Sequence, residues 1–304
     1  MNLAKHFLQS DEILLTRSDL ISALFAMGFA NGISKNVFEA IQLNGFSTAL
    51  GQTFGISVLI WLCAILVFVV LHKSGERPLL PGDAEVAAIL IGMFFIPISY
   101  TSWVAVSLLA AREFFLSSPG SSRRTSAVLM FASTVPLFWS RLIFSLFSGV
   151  ILQADALLVS AISGTERIGN AVAVHGNTGY LWIQPGCSSF ANMSLAFLCW
   201  IMCTQFAGRA RTSADYVYCC LACLAVVIIN VARICLVALR PDLYELIHGP
   251  IGITTFSYLT VFMVTVICVI GVRRGAIANA ETNRDNHYDM LDRILGQLKN
   301  PTLK

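Results

Sequence analysis

The sequence predicts an all-α membrane protein, a bundle of about six to eight transmembrane helices with a small β-hairpin outside the membrane. The chain has 304 residues, of which 56% are hydrophobic and only 12% charged, and its mean hydropathy is +0.74. Soluble domains carry about twice that charged fraction. Several apolar runs also reach the roughly 20 residues that a helix needs to cross a bilayer. The net charge of +3 is too small to indicate nucleic acid, so composition predicts the lipid bilayer as the partner.

Hydropathy divides the chain into a polar N-terminal segment (1–18), a transmembrane domain (19–272) and a charged tail (273–304). The predicted spans are 20–33, 46–71, 86–111 (bent near Pro97), 127–150, 188–206, 216–239 and 251–272. The run 20–33 is short for a crossing. The segment 151–163 is fairly apolar but contains Gln153 and Asp155, so we predict an interfacial or re-entrant helix there. The alternative is a further membrane crossing.

The longest polar interval inside the membrane domain is 164–186. Two short β-favouring runs flank the glycine-bearing residues 176–179, which predicts a β-hairpin. The second predicted strand leads directly into Cys187.

Arginines in short loops predict the orientation of the spans. Three pairs indicate the cytoplasmic side: Arg123 and Arg124, Arg209 and Arg211, and Arg273 and Arg274. The hairpin, Cys187 and the loop 240–250 are therefore expected on the extracytoplasmic side, and the tail in the cytoplasm.

Most of the nine cysteines lie within apolar runs, where a thiol is simply a small apolar side chain. Cys199 with Cys203, and Cys219 with Cys223, have helical i, i+4 spacing. No histidine lies near either pair in the sequence, so we expect neither a metal site nor a disulfide framework.

Cys187 lies where the polar interval meets the next apolar run. Pro185 and Gly186 precede it, and Ser188 and Ser189 favour a helix start. Cys187 is therefore expected in or beside the first helical turn, where free N–H groups and the helix dipole favour a thiolate. The alternative is a small apolar residue at a helix end.

Two further ionisable residues are expected at the same face of the membrane. Arg233 shares a helix face with Asn230 through i, i+3 spacing, and its charge needs a polar cavity unless it snorkels. His248 precedes Pro250, which suits the first turn of the last span. Together, Cys187 supplies a nucleophile, His248 a general base or acid, and Arg233 a cation for an oxyanion.

The order of these residues resembles the exosortase/archaeosortase family over roughly 130–272. The matching positions are Cys187-Ser188 at the start of one span, Asn230-x-x-Arg233 in the next, and His248 before the last. The family commonly reads Ala-Cys-Ser-Gly around the cysteine, whereas this chain reads Gly-Cys-Ser-Ser.

This resemblance implies a cysteine protease or transpeptidase with Cys187, Arg233 and His248 as catalytic residues and no metal or organic cofactor. Its partners would be exported proteins bearing a C-terminal sorting signal, made of a short motif, a transmembrane helix and a basic end. Cleavage through a thioester would occur at the outer face of the cytoplasmic (inner) membrane.

Four further residues are expected to support the site or bind substrate: Asn230, Ser188, Asn192 and Arg141. Arg141 either lines the cavity or pairs with Asp155, and Asn192 either points into the site or hydrogen-bonds between helices. The alternative function is a non-enzymatic transporter or assembly scaffold in which Arg233 and Arg141 bind an anion.

Overall fold

A computed structural model of the chain describes residues 16–75, 77–176, 179–208 and 212–299, with side chains as far as Ile277 except that of Pro250. The backbone packs as two compact units, one ending at Phe138 and one beginning at Trp139. The sequence predicted one membrane domain over 19–272, which stays a prediction. Four predicted features lie outside the description: residues 1–15 of the N-terminal segment, Arg209 with Arg211, hairpin residues 177 and 178, and the side chains of the tail beyond 277.

The first unit is helical. Its elements are α1 (Arg17–Asn44), α2 (Phe46–Gly51), a 3-10 turn (Thr53–Gly55), α3 (Val58–His72), α4 (Asp83–Phe94), α5 (Ser99–Leu116), α6 (Ser122–Thr134) and a π-helical turn (Val135–Trp139). Helix α1 packs on α5, and both α3 and α5 pack on α6. Phe29 of α1 makes edge-to-face contacts with Trp61 and Trp103, at centroid distances of 5.6 and 5.8 Å.

The predicted span 46–71 was too long. Thr53 and Phe54 both adopt positive φ, which breaks the helix after Gly51 and leaves α3 with 15 residues. The predicted span 86–111 is likewise two helices, α4 and α5, separated near Pro97. A proline cannot donate the backbone hydrogen bond that would continue α4, which accounts for the break.

A buried ionic network joins three helices of the first unit. Arg17 Nε donates to Asp83 at 3.1 Å, and its Nη2 donates to Glu113 at 2.6 Å. Arg112 bonds to the same two carboxylates, at 2.6 and 3.1 Å. Side-chain exposure is 4% or less for Arg17, Asp83 and Glu113. The network therefore fixes the start of α1 against the start of α4 and the end of α5.

The second unit combines helices with a small sheet. Its elements are α7 (Ser140–Ser163), β1 (Arg167–Ile168), β2 (Ala171–Ala173), β3 (Tyr180–Trp182), a 3-10 turn (Pro185–Cys187), α8 (Ser189–Phe206), α9 (Ser213–Leu239), a 3-10 turn (Pro241–Leu243), α10 (Tyr244–His248) and α11 (Pro250–Lys299). The predicted hairpin corresponds to β2 and β3, which pair antiparallel with Ala171 opposite Trp182. A third strand, β1, pairs with the other edge of β2.

Residues 151–163 do not form a separate interfacial segment, because they continue α7. The division predicted at residue 150 survives only as a distortion at Phe147, where φ is −121° and ψ is 17°. The tail is also continuous with the last span, since α11 runs from Pro250 to Lys299.

The core of the second unit joins α7, the sheet and α9. Its buried members are Leu152, Ala156, Val159, Val172, Ile183, Val231, Ile234 and Cys235. Cys187 packs against the edge of this cluster. The sheet therefore belongs to the same core as the helices, and the segment that leads into Cys187 is anchored to it.

The chain is a membrane protein by composition and by helix length. Within the described residues, four helical stretches are long and apolar enough to cross a bilayer: Ser122–Ser163, Ser189–Phe206, Ser213–Leu239 and Ile251–Ile277. Val58–His72 is apolar but shorter.

Replacing Arg17 by methionine should destabilise the protein by about 3–5 kcal/mol, because the buried carboxylates of Asp83 and Glu113 lose the more deeply buried of their two shared cations. The measurement is denaturant unfolding of the full chain in mixed micelles. Lys35→Met is the control, since Lys35 and Glu39 are paired at 3.7 Å on the surface and should contribute only about 0–1 kcal/mol. Equal losses in the two variants would contradict the role of the buried network.

Candidate functional site

Cys187 ends a single 3-10 turn immediately before α8. The turn begins with Pro185, and the Cys187 N–H donates to the Gln184 carbonyl at 2.8 Å. Ser188 is the N-cap of α8, and its hydroxyl accepts from the Phe190 N–H at 3.3 Å. Cys187 is half-buried and lies beside the first turn of α8, as the sequence predicted.

The carboxylate of Asp155, on α7, holds the start of α8. Ser188 Oγ donates to it at 2.8 Å, Ser189 Oγ at 2.9 Å and the Ser189 N–H at 3.2 Å. Asp155 is itself buried. A buried carboxylate with these donors satisfies free groups at a helix N-terminus and complements the helix dipole. Asp155 therefore fixes the two residues that follow the cysteine.

Asn230, on α9, holds the cysteine itself. Its Nδ2 donates to the Cys187 carbonyl at 2.7 Å and to Ser189 Oγ at 3.0 Å. Because Ser189 Oγ in turn donates to Asp155, a continuous hydrogen-bond chain links α9, the start of α8 and α7. Three helices thus determine where the sulfur lies.

His248 brings its imidazole to the sulfur, with 4.0 Å between Cys187 Sγ and His248 Nε2. The ring stacks on Tyr244 one helical turn earlier in α10, at 4.6 Å between centroids and 7° between planes. Gly252 allows α11 to begin against α10, because a Cβ there would overlap the Leu246 and Ile247 carbonyl oxygens. This close junction sets the position of the imidazole.

Arg233 supplies positive charge to the same place. Burial, and then the charge of Arg233, lower the pKa of the His248 imidazole below its usual 6.5. The ring is therefore neutral at pH 7 and can accept a proton. Arg233 Nε and His248 Nδ1 are both buried, and neither has a hydrogen-bond partner among the described residues. Arg233 therefore retains a donor for a bound group.

The structure brings together Cys187, Arg233, His248, Asn230 and Ser188, but not the other two predicted residues. Arg141 is exposed on α7, and the Asp155 carboxylate bonds to the serines at the start of α8 instead of to Arg141. Asn192 is exposed on α8.

Sequence reasoning missed three contributors to the site. The signal for Asp155 was a carboxylate within an apolar run, which requires a polar partner wherever it is buried. Tyr244 stands four residues before His248, the spacing of neighbours on one helix face. Ser189 was identified only as a residue that favours a helix start, and nothing in the sequence shows that it bridges Asp155 and Asn230.

A second sulfur cluster lies in the second unit. Cys199 and Cys203, on α8, meet Cys268 of α11, and the three sulfur atoms are within 4.8 Å of one another. Among the described residues, these three thiols lie close enough together to bind a soft metal ion. The sequence showed only the α8 pair, and the third sulfur comes from a helix some 65 residues further along the chain.

Replacing Asp155 by alanine should cost about 2–5 kcal/mol, because buried hydroxyl and N–H donors at the start of α8 lose their acceptor. Unfolding in mixed micelles measures the loss, and faster alkylation of Cys187 under native conditions would report loosening of the turn. Asp242→Ala is the matched control, since Asp242 is exposed and pairs with Arg240 on the surface. A similar small effect at both positions would contradict the anchoring role of Asp155.

Replacing Arg233 by methionine should raise the pKa of His248 toward 6.5, because it removes one of the two causes of the lowered value. In the wild-type protein the unfolded chain binds the proton more tightly than the folded one. Stability therefore falls as the pH drops from about 6.5 through the folded-state pKa, and it should fall less in the variant.

Histidine NMR titration of the full chain measures this pKa directly, and His248→Gln identifies the resonance. Arg240→Met is the control because it removes an exposed cation that is already paired with Asp242. An unchanged His248 pKa in Arg233→Met would contradict the electrostatic coupling.

Comparison of the chain with protein-family models, with curated proteins and with solved structures gives no match.

Proposed function

We propose that this chain is a membrane-embedded cysteine protease or transpeptidase of the exosortase type. Its substrates would be exported proteins, which it cleaves at their C-terminal sorting signals. The observation that carries the proposal is the approach of Cys187 Sγ to His248 Nε2, at 4.0 Å, beside the charge of Arg233. A nucleophile, a neutral base and a cation at one point are the groups that acyl transfer from a peptide requires.

Acylation follows from these roles. His248 Nε2 accepts the thiol proton as the Cys187 sulfur attacks the scissile carbonyl carbon, and the oxyanion develops beside the Arg233 guanidinium. The C–N bond then breaks, and the protonated imidazole gives its proton to the departing amine. A thioester on Cys187 remains. The 4.0 Å separation is longer than a catalytic hydrogen bond, which is common before substrate binds.

Deacylation uses the same groups. Neutral His248 removes a proton from a water molecule or an acceptor amine, which attacks the thioester carbonyl. Collapse of the second tetrahedral intermediate releases the thiolate, which regains the proton from the imidazolium. Water gives hydrolysis and an amine gives transpeptidation, so the acceptor alone decides between the two.

The membrane supplies the setting for this chemistry. Loop arginines support an orientation with Cys187 and the small sheet on the extracytoplasmic side of the cytoplasmic (inner) membrane. Four helical stretches among the described residues are candidate crossings. If the 28-residue α1 and the 18-residue α5 also cross the membrane, the number is six, and a crossing by α3 makes it seven. A substrate helix lying along the second unit would hold its recognition motif at the outer interface.

Arg233 Nε, which has no hydrogen-bond partner in the part of the chain that the structure describes, also suits the alternative function, a transporter or scaffold that binds an anion. That function makes no use of the approach between Cys187 and His248. The exposed Arg141 does not share the site with Arg233, which removes the second cation that the alternative expected. The protease is therefore the better-supported function.

Trapping the thioester tests the proposal. The tagged full chain, expressed in its source cells, should carry a hydroxylamine-labile peptide adduct on Cys187 that mass spectrometry identifies. Cys187→Ala should abolish both the adduct and the processing of substrate proteins, and His248→Gln should slow processing about 100-fold or more. Cys220→Ala is the control, because Cys220 is exposed on α9 and should not affect processing.

Unchanged processing in Cys187→Ala would rule out the enzyme and favour the anion-binding alternative. Loss of processing only in variants that also fail to accumulate in the membrane would be uninformative about chemistry. Membrane abundance is therefore measured for every variant, and Cys187→Ser, which keeps the shape of the side chain, should accumulate normally and remain inactive.

A further inference from the structure

The first unit contains a polar cavity that the proposed catalysis does not use. Its volume is about 250 Å³, and its lining includes four basic side chains and five serines. The basic residues are Arg17, Lys73, Arg77 and Arg123. A cavity in an apolar protein lined by cations and hydroxyl groups favours an anion.

Arg123 is the strongest indication of a ligand. It is 6% exposed, yet its Nε has no hydrogen-bond partner among the described residues. Its Nη2 reaches Ser18 Oγ only at 3.4 Å. A buried guanidinium normally bonds to carboxylates on several of its five donors, as Arg17 does. Arg123 therefore lines the cavity with a guanidinium whose hydrogen-bonding capacity the described residues use only in part.

The nearby carboxylates compensate this charge only in part. Asp83 and Glu113 bond to Arg17 and Arg112, and the described part of the chain shows no ion pair to Lys73, Arg77 or Arg123. Arg17 and Arg77 repel the charge of Arg123, while Glu113 and Asp83 attract it without forming an ion pair to it among the described residues. An anion in the cavity would compensate the cations that line it.

The start of α6 adds donors of its own. Ser121, the N-cap, and Ser122 both line the cavity, so the positive end of the α6 dipole lies at its wall. Ser117 Oγ, also in the lining, is buried and has no partner among the described residues. Donors therefore line the cavity from α1, from α6, from the segment that joins α3 to α4 and from the segment that joins α5 to α6.

We propose that this cavity binds a phosphate group. A tetrahedral anion with several oxygens can accept hydrogen bonds from guanidinium, ammonium and hydroxyl groups arranged around it, which a planar carboxylate can do less fully. The phosphate belongs either to an anionic lipid headgroup or to a soluble phosphate. Arg123 stands just before the predicted span 127–150, on the side that loop arginines indicate to be cytoplasmic, which is where a headgroup would lie. This proposal does not depend on the catalytic one.

Two binding measurements on the full chain distinguish the sources. In a detergent without phosphate, sodium phosphate is titrated against sodium chloride at equal ionic strength, with thermal unfolding as the readout. Native mass spectrometry then counts phosphatidylglycerol against phosphatidylcholine retained after release from nanodiscs. Stabilisation by phosphate supports a soluble ligand, and selective retention of phosphatidylglycerol supports a headgroup.

Lys73→Gln/Arg77→Gln should weaken whichever binding is found by about tenfold or more, because two cations that line the cavity are lost. Both residues are exposed, so the variant should fold. The matched control is Arg273→Gln/Arg274→Gln, which removes the same charge from exposed positions on α11. Absence of binding in both measurements, or equal weakening in the two double variants, would overturn the proposal.

Discussion

The hydrogen bonds that the Asp155 carboxylate accepts are the interaction on which the second unit depends. Asp155 lies on a helix apolar enough to cross a membrane, where a buried charge is costly unless polar groups surround it. Those groups are the hydroxyls and the N–H at the start of α8. Satisfying the carboxylate therefore fixes the helix start, and the helix start fixes the cysteine that precedes it.

The same requirement explains why Asn230 matters more than its small size suggests. Its amide donates to the carbonyl of Cys187 and to the hydroxyl that binds Asp155, so the turn is held from two sides. Buried polar groups linked in this way define one arrangement, because any displacement leaves a donor or acceptor without a partner. The sulfur is consequently positioned by residues that take no part in the proposed chemistry.

Buried arginines serve two different purposes in this protein. Arg17 bonds to two carboxylates and acts as a structural cation that fastens helices together. Arg123 and Arg233 each keep a buried Nε without a hydrogen-bond partner among the described residues. Charges of the first kind are neutralised within the fold, whereas in the two proposals charges of the second kind serve a phosphate ligand and a developing oxyanion.

The sequence by itself determined the membrane class, the helical architecture, the strand pair before Cys187 and the helix start beside it, because composition, hydropathy and capping preferences are local properties. Local signals also located the break near Pro97. They did not reveal the break after Gly51, since Thr53 and Phe54 carry no preference for positive φ. Only the tertiary structure decided which polar residues meet: Asp155 bonds to Ser188 and Ser189 rather than to Arg141, and Cys268 joins a pair of cysteines on another helix. Such partners are chosen by helix packing between distant segments, which no local pattern encodes.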